Sequence, residues 1–219
     1  MELTWYGHSC FRIVERGQIT VITDPFSEEI GLPVPKLKGE LVTVSHDVAG
    51  HNFVEAVRGA RQVLKRPGEY EIGDVFITGL PLHDVKDGEV RHNVGYLIDF
   101  DGLNVLHLGD LNHIPSQTMI ENIGIVHVLL VPVGGGNGLK AVEAAEVVGL
   151  FEPSYVIPMH YSLPGLAVAL DGVDKFLKAM GVSKAHESET LKLSASDLPE
   201  QTQVVVLAPQ ALSRNGENA

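Results

Sequence analysis

Four apolar runs of the chain are each followed by one or two side chains that can bind a metal ion. They are His46, His51, His83, Asp110 and His160. Histidine and aspartate bind zinc, manganese and iron through imidazole nitrogens and carboxylate oxygens. A catalytic site needs about three such ligands and an open position for water. The repeated pattern therefore predicts a metal-dependent reaction.

The central segment is the run 41–45, which ends in His46 and is followed by His51. Its valine and threonine residues are typical of a covered strand. The two histidines then lie at the carboxyl end of that strand, where open α/β sheets usually place their chemistry. Taken alone, the pair favours an ordinary loop histidine and a helix-capping histidine. The three later segments shift the interpretation to a metal site.

The apolar patterns predict short strands followed by mixed strand and helix units. Strands are expected over 3–6, 11–15, 18–23, 41–45, 62–65, 126–133, 155–159, 189–193 and 203–208, and hairpins over 70–81 and 94–108. Helices are expected over 52–58, with Asn52 as N-cap, and over 115–123, 139–151 and 171–180. This order excludes a simple doubly wound sheet and fits two packed sheets with helices outside. Periodicity by itself gives only α/β or α+β.

The composition limits the classes of partner and location. The net charge of −12 disfavours nucleic acid, which needs a basic face. No apolar run reaches the roughly 20 residues of a membrane helix, and the first residues carry no signal-peptide pattern, so a cytoplasmic location is expected. Cys10 is the single cysteine, which excludes an internal disulfide, and a small buried residue is its expected role. A homo-oligomer is compatible with the sequence.

Six motifs follow one another in the order of a known family. They are Trp5-Tyr6-Gly7-His8-Ser9, Thr23-Asp24-Pro25-Phe26, the segment from Ser45 to His51, His83, Gly109-Asp110 and Pro158-Met159-His160-Tyr161. In these motifs the chain resembles the metallo-β-lactamase superfamily, in its UPF0173-like branch, which includes ascorbate-6-phosphate lactonase relatives. The resemblance implies an α/β fold (α+β in some schemes), a four-layer αβ/βα sandwich. We expect one domain over 1–211 and a polar tail over 212–219.

The resemblance also implies two adjacent metal positions. His46 and His83 would belong to the first metal, and His51 and His160 to the second. Asp110 would bridge both metals.

Two ligands of the family's central motif, His-x-His-x-Asp-His, are missing. Val48 stands where the second histidine belongs, and Gly50 stands where the aspartate belongs. Five ligands are few for two metals, so we expect one well-occupied divalent metal, or weak occupancy of both positions. Zinc is the expected metal, with manganese or iron as alternatives. Asp47 falls on a variable position and is expected to be a carboxylate that faces solvent or supports the metal ligands from outside.

The missing aspartate also orients the attacking water in the family. His8, Glu69 and His107 are candidates for this task, and His8 is preferred because it lies in the Gly-His-Ser motif. His8 and Asp110 are therefore the expected catalytic residues. His107 is expected to pack behind Asp110.

The run Gly134-Gly135-Gly136-Asn137-Gly138 precedes a predicted helix. Such a run can present backbone N–H groups to an anion, or it can be a tight turn at a strand end. The tight turn is favoured. Tyr161, next to His160, is expected to line the same cleft.

Three functions compete. The favoured one is a metal-dependent hydrolase whose metal-activated water attacks a small ester, lactone or phosphate-containing substrate. The alternative is a catalytically degenerate member that keeps the fold as a binding or scaffolding module. A nuclease is the third, and the negative charge argues against it. The family name does not imply β-lactamase activity, because fold does not fix substrate.

Overall fold

Short strands make up most of the computed structural model, which describes residues 1–86 and 89–213. The earlier strands are β1 (Glu2–Gly7), β2 (Cys10–Val14), β3 (Val21–Thr23), β4 (Leu37–Lys38), β5 (Leu41–Thr43), β6 (Val57–Arg58), β7 (Gln62–Leu64), β8 (Gly68–Ile72), β9 (Val75–Pro81), β10 (Asp84–Lys86) and β11 (Glu89–Arg91). The later ones are β12 (Val94–Phe100), β13 (Leu103–His107), β14 (Val128–Pro132), β15 (Tyr155–Met159), β16 (His186–Ser188), β17 (Thr190–Lys192) and β18 (Gln203–Leu207).

Four α-helices lie between or after these strands in the described ranges. They are α1 (Gln117–Ile123), α2 (Ala141–Phe151), α3 (Val173–Ala179) and α4 (Gln210–Ser213), and single 3₁₀ turns cover Glu28–Ile30, Val54–Ala56 and Ala195–Asp197. No helix in 1–86 or 89–213 combines the length and apolar character that crossing a membrane requires.

Two large mixed sheets organise the strands. Among the described residues, the first sheet has the order β17-β1-β2-β3-β5-β7, and the second has the order β16-β18-β15-β14-β13-β12-β9-β8. Within the first sheet β3, β5 and β7 are parallel, and within the second β13, β14 and β15 are parallel. Every predicted metal ligand except His83 follows the carboxyl end of one of these parallel strands.

A shared core joins the facing sides of the two sheets. Trp5 and Phe11 of the first sheet belong to the same apolar cluster as Tyr96 and Ile98 of the second. The ring of Phe11 meets the imidazole of His107 edge-on, with centroids 6.1 Å apart. Burial of these large side chains is the main favourable contribution to folding.

The outer faces of the two sheets are covered differently. Buried residues of α1, α2 and α3, among them Ile120, Val147 and Phe176, belong to the cluster of the second sheet. The segment after β3 covers the first sheet, where Phe26 and Ile30 pack with residues of β3 and β5. The two mixed sheets with these outer layers confirm the predicted α/β sandwich.

The predicted helix over 52–58 is wrong. The chain instead forms a 3₁₀ turn at Val54–Ala56 and then β6, which pairs in parallel with β4. Asn52 does not cap a helix, because its side-chain amide donates to Asp47 3.0 Å away. The backbone N–H of Phe53 donates to the carbonyl of Pro25, 2.8 Å away, which ties this segment to the loop after β3.

The other predicted helices and strands are present in the structure and differ from the prediction mainly in the residues at which they begin and end. Helix α1 begins after Ser116, whose hydroxyl accepts from the N–H of Met119, so Pro115 lies before the helix. The short strands β4, β6, β10, β11 and β16 were not predicted. Of the predicted polar tail over 212–219, residues 214–219 lie outside the described residues, and the domain boundary stays a prediction.

The hydroxyl of Tyr96 connects the two sheets. It lies 3.0 Å from the carbonyl oxygen of Val44, just after β5, and 2.9 Å from that of Leu64 in β7. Burial raises the pKa of Tyr96 far above its usual value, so the hydroxyl keeps its proton for donation. The single O–H of Tyr96 donates to one of these two carbonyls at a time, and it links the second sheet to the end of the first.

We expect Tyr96→Phe to lower the free energy of unfolding by about 1 to 3 kcal/mol, because a buried carbonyl loses its donor. The measurement is chemical denaturation at equilibrium. Tyr70→Phe is the matched control, since the Tyr70 hydroxyl donates to Arg66 at an exposed position. An equal loss in the two variants would contradict the role given to Tyr96.

Candidate metal centre

The candidate metal centre lies where the strand ends of the two sheets meet. Ser45 follows β5 of the first sheet, and its carbonyl accepts from the N–H of Val94 in β12, 2.9 Å away. His51, Asp110 and His160 come to this junction from loops that follow β5, β13 and β15. Loops at strand ends thus deliver polar side chains from distant parts of the sequence to one point.

Three buried histidines form the centre of the site. The ligand nitrogens of His8, His51 and His160 all lie within 4.8 Å of one another. Their exposed fractions are 2%, 1% and 3%. The ring centroid of His8 is 4.2 Å from that of His160 and 5.0 Å from that of His51. Such a group of imidazoles is a suitable donor set for a divalent transition metal.

The backbone holds His8 in the centre. His8 lies in the turn between β1 and β2 with φ at +51°, next to Gly7 with φ at +114°. Its carbonyl accepts from the indole N–H of Trp5 and from the N–H of His160, each at 3.0 Å. His160 also has a positive φ, of +52°. Two residues in the left-handed conformation, one between β1 and β2 and the other after β15, are thus hydrogen-bonded to each other.

Asp110 adds a carboxylate to the histidines. Its Oδ1 atom lies 2.9 Å from Nε2 of His160 and 3.4 Å from Nε2 of His51. Its backbone N–H donates to the side-chain oxygen of Asn93, 3.0 Å away. Gly109 before it has φ at +59°, and a Cβ there would lie 2.3 Å from that same oxygen, so the turn requires glycine.

Asp24 fixes the orientation of His51. Oδ2 of this fully buried carboxylate lies 2.8 Å from Nδ1 of His51. The backbone N–H and the hydroxyl of Ser45 donate to the two oxygens of Asp24 at 2.7 and 2.5 Å. With Nδ1–H donated to Asp24, Nε2 of a neutral His51 has a free lone pair that faces the site. Carboxylates commonly orient metal-binding histidines in this way.

The pKa values of Asp110 and His8 are both lowered in the site, but for different reasons. Burial acts to raise the pKa of Asp110, but His51, His160 and Arg91 outweigh it and hold that pKa well below its usual range. Burial, reinforced by His160 and His51, holds the pKa of His8 well below normal. Asp110 is therefore an anion and His8 a neutral imidazole, and these are the forms that bind a metal.

His46 and His83 lie outside this cluster. Both line a neighbouring cavity of about 630 Å³, together with Lys65, Arg66 and His92. The ring centroid of His46 is 6.1 Å from that of His51. Nδ1 of His83 is 3.4 Å from the N–H of Asn93, which it faces as an acceptor. The two predicted ligands of the first metal thus border the site without joining the group of three.

Comparison with known proteins gives the family. Residues 2–160 match the Beta-lactamase superfamily domain. The chain belongs to the β-lactamase superfamily. A UPF0173 metal-dependent hydrolase from Pyrococcus furiosus is 27% identical over 195 residues, covering 74% of this chain and 85% of that relative. The predicted resemblance to the superfamily and its UPF0173-like branch is confirmed.

Solved structures of other proteins share the fold of this chain. A candidate Zn-dependent hydrolase of the metallo-β-lactamase superfamily from Thermotoga maritima is 35% identical, with a TM-score of 0.76, covering 94% of this chain and 98% of its own. A metallo hydrolase from Ignicoccus hospitalis is 21% identical, with a TM-score of 0.65, covering 88% of this chain and 99% of its own. The second likeness concerns the fold alone.

The two positions that depart from the superfamily motif have different surroundings. Val48 is 43% exposed, unlike the buried histidines of the site. Gly50 is buried against His8, and a Cβ added at Gly50 would lie 2.8 Å from Nε2 of His8. The imidazole of His8 therefore fills the space into which a side chain at position 50 would extend.

The other water-orienting candidates are not in the cluster. Nε2–H of His107 donates to the carbonyl of Ser9 at 2.9 Å, and its Nδ1 accepts from the N–H of Gly109 at 3.1 Å. His107, at the end of β13, thus supports the turn before Asp110 through its hydrogen bond with Gly109. Glu69 is exposed on β8. Asp47 faces solvent, as predicted, with its side chain 81% exposed.

The glycine-rich run is a tight turn. The N–H groups of Gly134, Gly135 and Gly138 donate to carbonyls of His160, Leu139 and Gly135 at 3.1, 2.9 and 3.0 Å, so they do not form an anion cradle. Tyr161 does not line a cleft, because it is buried and its ring lies 5.1 Å from that of Trp5.

Sequence reasoning named His8 but missed Asp24 and Arg91 as parts of the site. Asp24 had a usable signal, because it directly follows the apolar end of β3, as His160 follows β15. Arg91 had no comparable signal. It lies on the short strand β11, and only the fold brings its guanidinium within 2.8 Å of Asp110.

We expect Asp24→Asn to weaken zinc binding by about 10- to 100-fold, because an amide supports His51 less strongly than a carboxylate does. Isothermal titration with zinc measures the change in Kd. Asp47→Asn is the matched control, since Asp47 is an exposed carboxylate beside His46 and should leave the Kd unchanged. A parallel weakening in both variants would contradict the role of Asp24.

Proposed function

We propose that this chain is a metal-dependent hydrolase of the β-lactamase superfamily that acts on a small ester, lactone or phosphate-containing substrate. The observation that carries the proposal is the group of three buried histidines with Asp110 beside it. The names of its relatives, a UPF0173 metal-dependent hydrolase and a candidate Zn-dependent hydrolase, support the same reaction type.

His8, His51, His160 and Asp110 would hold one divalent metal. The donor set of three imidazoles and one carboxylate suits zinc best, with manganese and iron as alternatives. Nδ1 of His8, of His46 and of His160 are buried with no hydrogen-bond partner in the described ranges 1–86 and 89–213, so these imidazoles can still take a further ligand. When bound, such a metal lowers the pKa of water and polarises the oxygen of the substrate.

The protein groups prepare this site in distinct ways. Asp24 keeps the proton of His51 on Nδ1 and leaves Nε2 free. Asp110 supplies a negative charge beside the three histidines and would orient a water bound there. His8 is assigned to the metal in our proposal rather than to the orientation of water, because its ring fills the space beside Gly50.

The cavity next to the site fits the proposed substrate class. A volume of about 630 Å³ accommodates a small molecule. Lys65 and Arg66 line it together with His46, His83 and His92, and among the lining residues that the structure describes Asp47 is acidic. In a chain with a net charge of −12, this local basic lining favours a substrate that carries an anionic group.

Metal content tests the proposal first. Protein loaded with zinc or manganese and freed of excess metal should contain about one equivalent by elemental mass spectrometry. His8→Ala and Asp110→Ala should lose most of it, whereas His186→Ala, an exposed histidine of β16, should keep it.

The metal-loaded protein should then hydrolyse members of an ester, lactone and phosphate ester panel. Folded, metal-loaded protein that hydrolyses none of them would contradict the enzyme and favour the binding module. Complete absence of metal after loading would contradict the metal centre itself.

The contact between Gly50 and His8 gives a second test. Gly50→Ala should weaken zinc binding by about 10-fold or more, because its Cβ displaces the imidazole of His8. The double change His8→Ala with Gly50→Asp should bind zinc more tightly than His8→Ala alone, since it returns a carboxylate to the same space. Gly149→Ala, where a Cβ meets nothing within 4 Å, is the control. Unaltered zinc affinity of Gly50→Ala would contradict the assignment of His8.

A further inference from the structure

The two oxygens of Asp110 face different cations. Oδ1 lies against His160 and His51, on the side of the three histidines. Oδ2 lies 2.8 Å from Nη2 of Arg91. Because Asp110 is only 6% exposed and the side chain of Arg91 is 22% exposed, this is a largely buried ion pair. Buried pairs of this kind are strongly held when both partners have further hydrogen bonds.

The glycine-rich turn holds Arg91 in place. The Nη1 group of Arg91 donates to the carbonyl of Asn137. Gly135 and Gly136 beside it both have φ at +66°, a conformation that glycine adopts without strain. The N–H of Gly134 in the same turn donates to the carbonyl of His160. One turn thus positions both Arg91 and His160 around Asp110.

The ligands of a first metal are not gathered on the Oδ2 side. In the superfamily motif that position takes two histidines from the central segment, but here one of them is Val48, which is 43% exposed. His46 and His83 line the neighbouring cavity instead. The one cation that the described structure places on Oδ2 is the guanidinium of Arg91.

We propose that the guanidinium of Arg91 permanently takes the place of the first metal at Oδ2 of Asp110, so that the centre contains one metal and one fixed organic cation. An arginine is charged at all working pH values and presents a rigid set of donors, so it can neutralise a carboxylate as a metal would. Arg91 is then a positioning residue for Asp110, and it blocks a second metal. This inference rests on the proposed metal centre.

Zinc stoichiometry tests the inference without any substrate. Four proteins are compared after loading with excess zinc and desalting: the wild type, Val48→His, Val48→His with Arg91→Ala, and Val48→His with Arg91→Lys. Elemental mass spectrometry gives the zinc content, cobalt(II) absorption gives the number of distinct sites, and circular dichroism verifies folding. Arg16→Ala, at an exposed turn, is the control for loss of an arginine.

The wild type, Val48→His and the Arg91→Lys double variant should each bind about one zinc, because a cation still occupies Oδ2. The Arg91→Ala double variant should bind about two, since it regains a histidine and frees Oδ2. Two zinc ions in Val48→His with Arg91 intact, or one in the folded Arg91→Ala double variant, would overturn the inference while leaving the proposed hydrolase standing. No zinc in the wild type would instead overturn the metal centre, and the inference with it.

Discussion

A row of buried polar contacts runs through the junction of the two sheets, from Asp24 through His51 and Asp110 to Arg91. Each member is largely buried and within hydrogen-bonding or ion-pair distance of the next. A buried charge is costly unless it is paired, so removing one member leaves its neighbour uncompensated. These contacts therefore constrain the loops after β3, β5 and β13, because those loops carry Asp24, His51 and Asp110.

Much of the fold was predictable because its signals are local. Continuous apolar runs predict β14 and β15, and the hairpin predicted over 94–108 is formed by β12 and β13. The prediction of a helix over 52–58 is wrong because the structure of this segment depends on contacts with residues outside it. Its residues are compatible with a helix, but Asn52 bonds to Asp47, Phe53 to Pro25, and β6 pairs with β4, which are contacts that no local pattern reveals.

The site was predictable as a set of residue types and only partly as a geometry. The superfamily resemblance pointed to His51, Asp110 and His160, which the structure brings together. It also placed His46 and His83 with a metal, whereas they line a cavity beside the cluster. The place of His8 depends on a buried contact with Gly50 from a different loop. The imidazole of His8 takes the space of a side chain at position 50 only because two separate loops pack together, and such packing cannot be read from one sequence.

The hydrogen bond between the backbone N–H of His160 and the carbonyl of His8 has a consequence for the order of events during synthesis. These two residues are separated by most of the described chain, and His51 and Asp110 lie between them in sequence. A ribosome-bound chain cannot complete the donor set before β15 has joined its sheet. We therefore expect the metal to bind after the chain has folded. Bound metal would then raise the apparent stability of the native state in proportion to the logarithm of the free metal concentration.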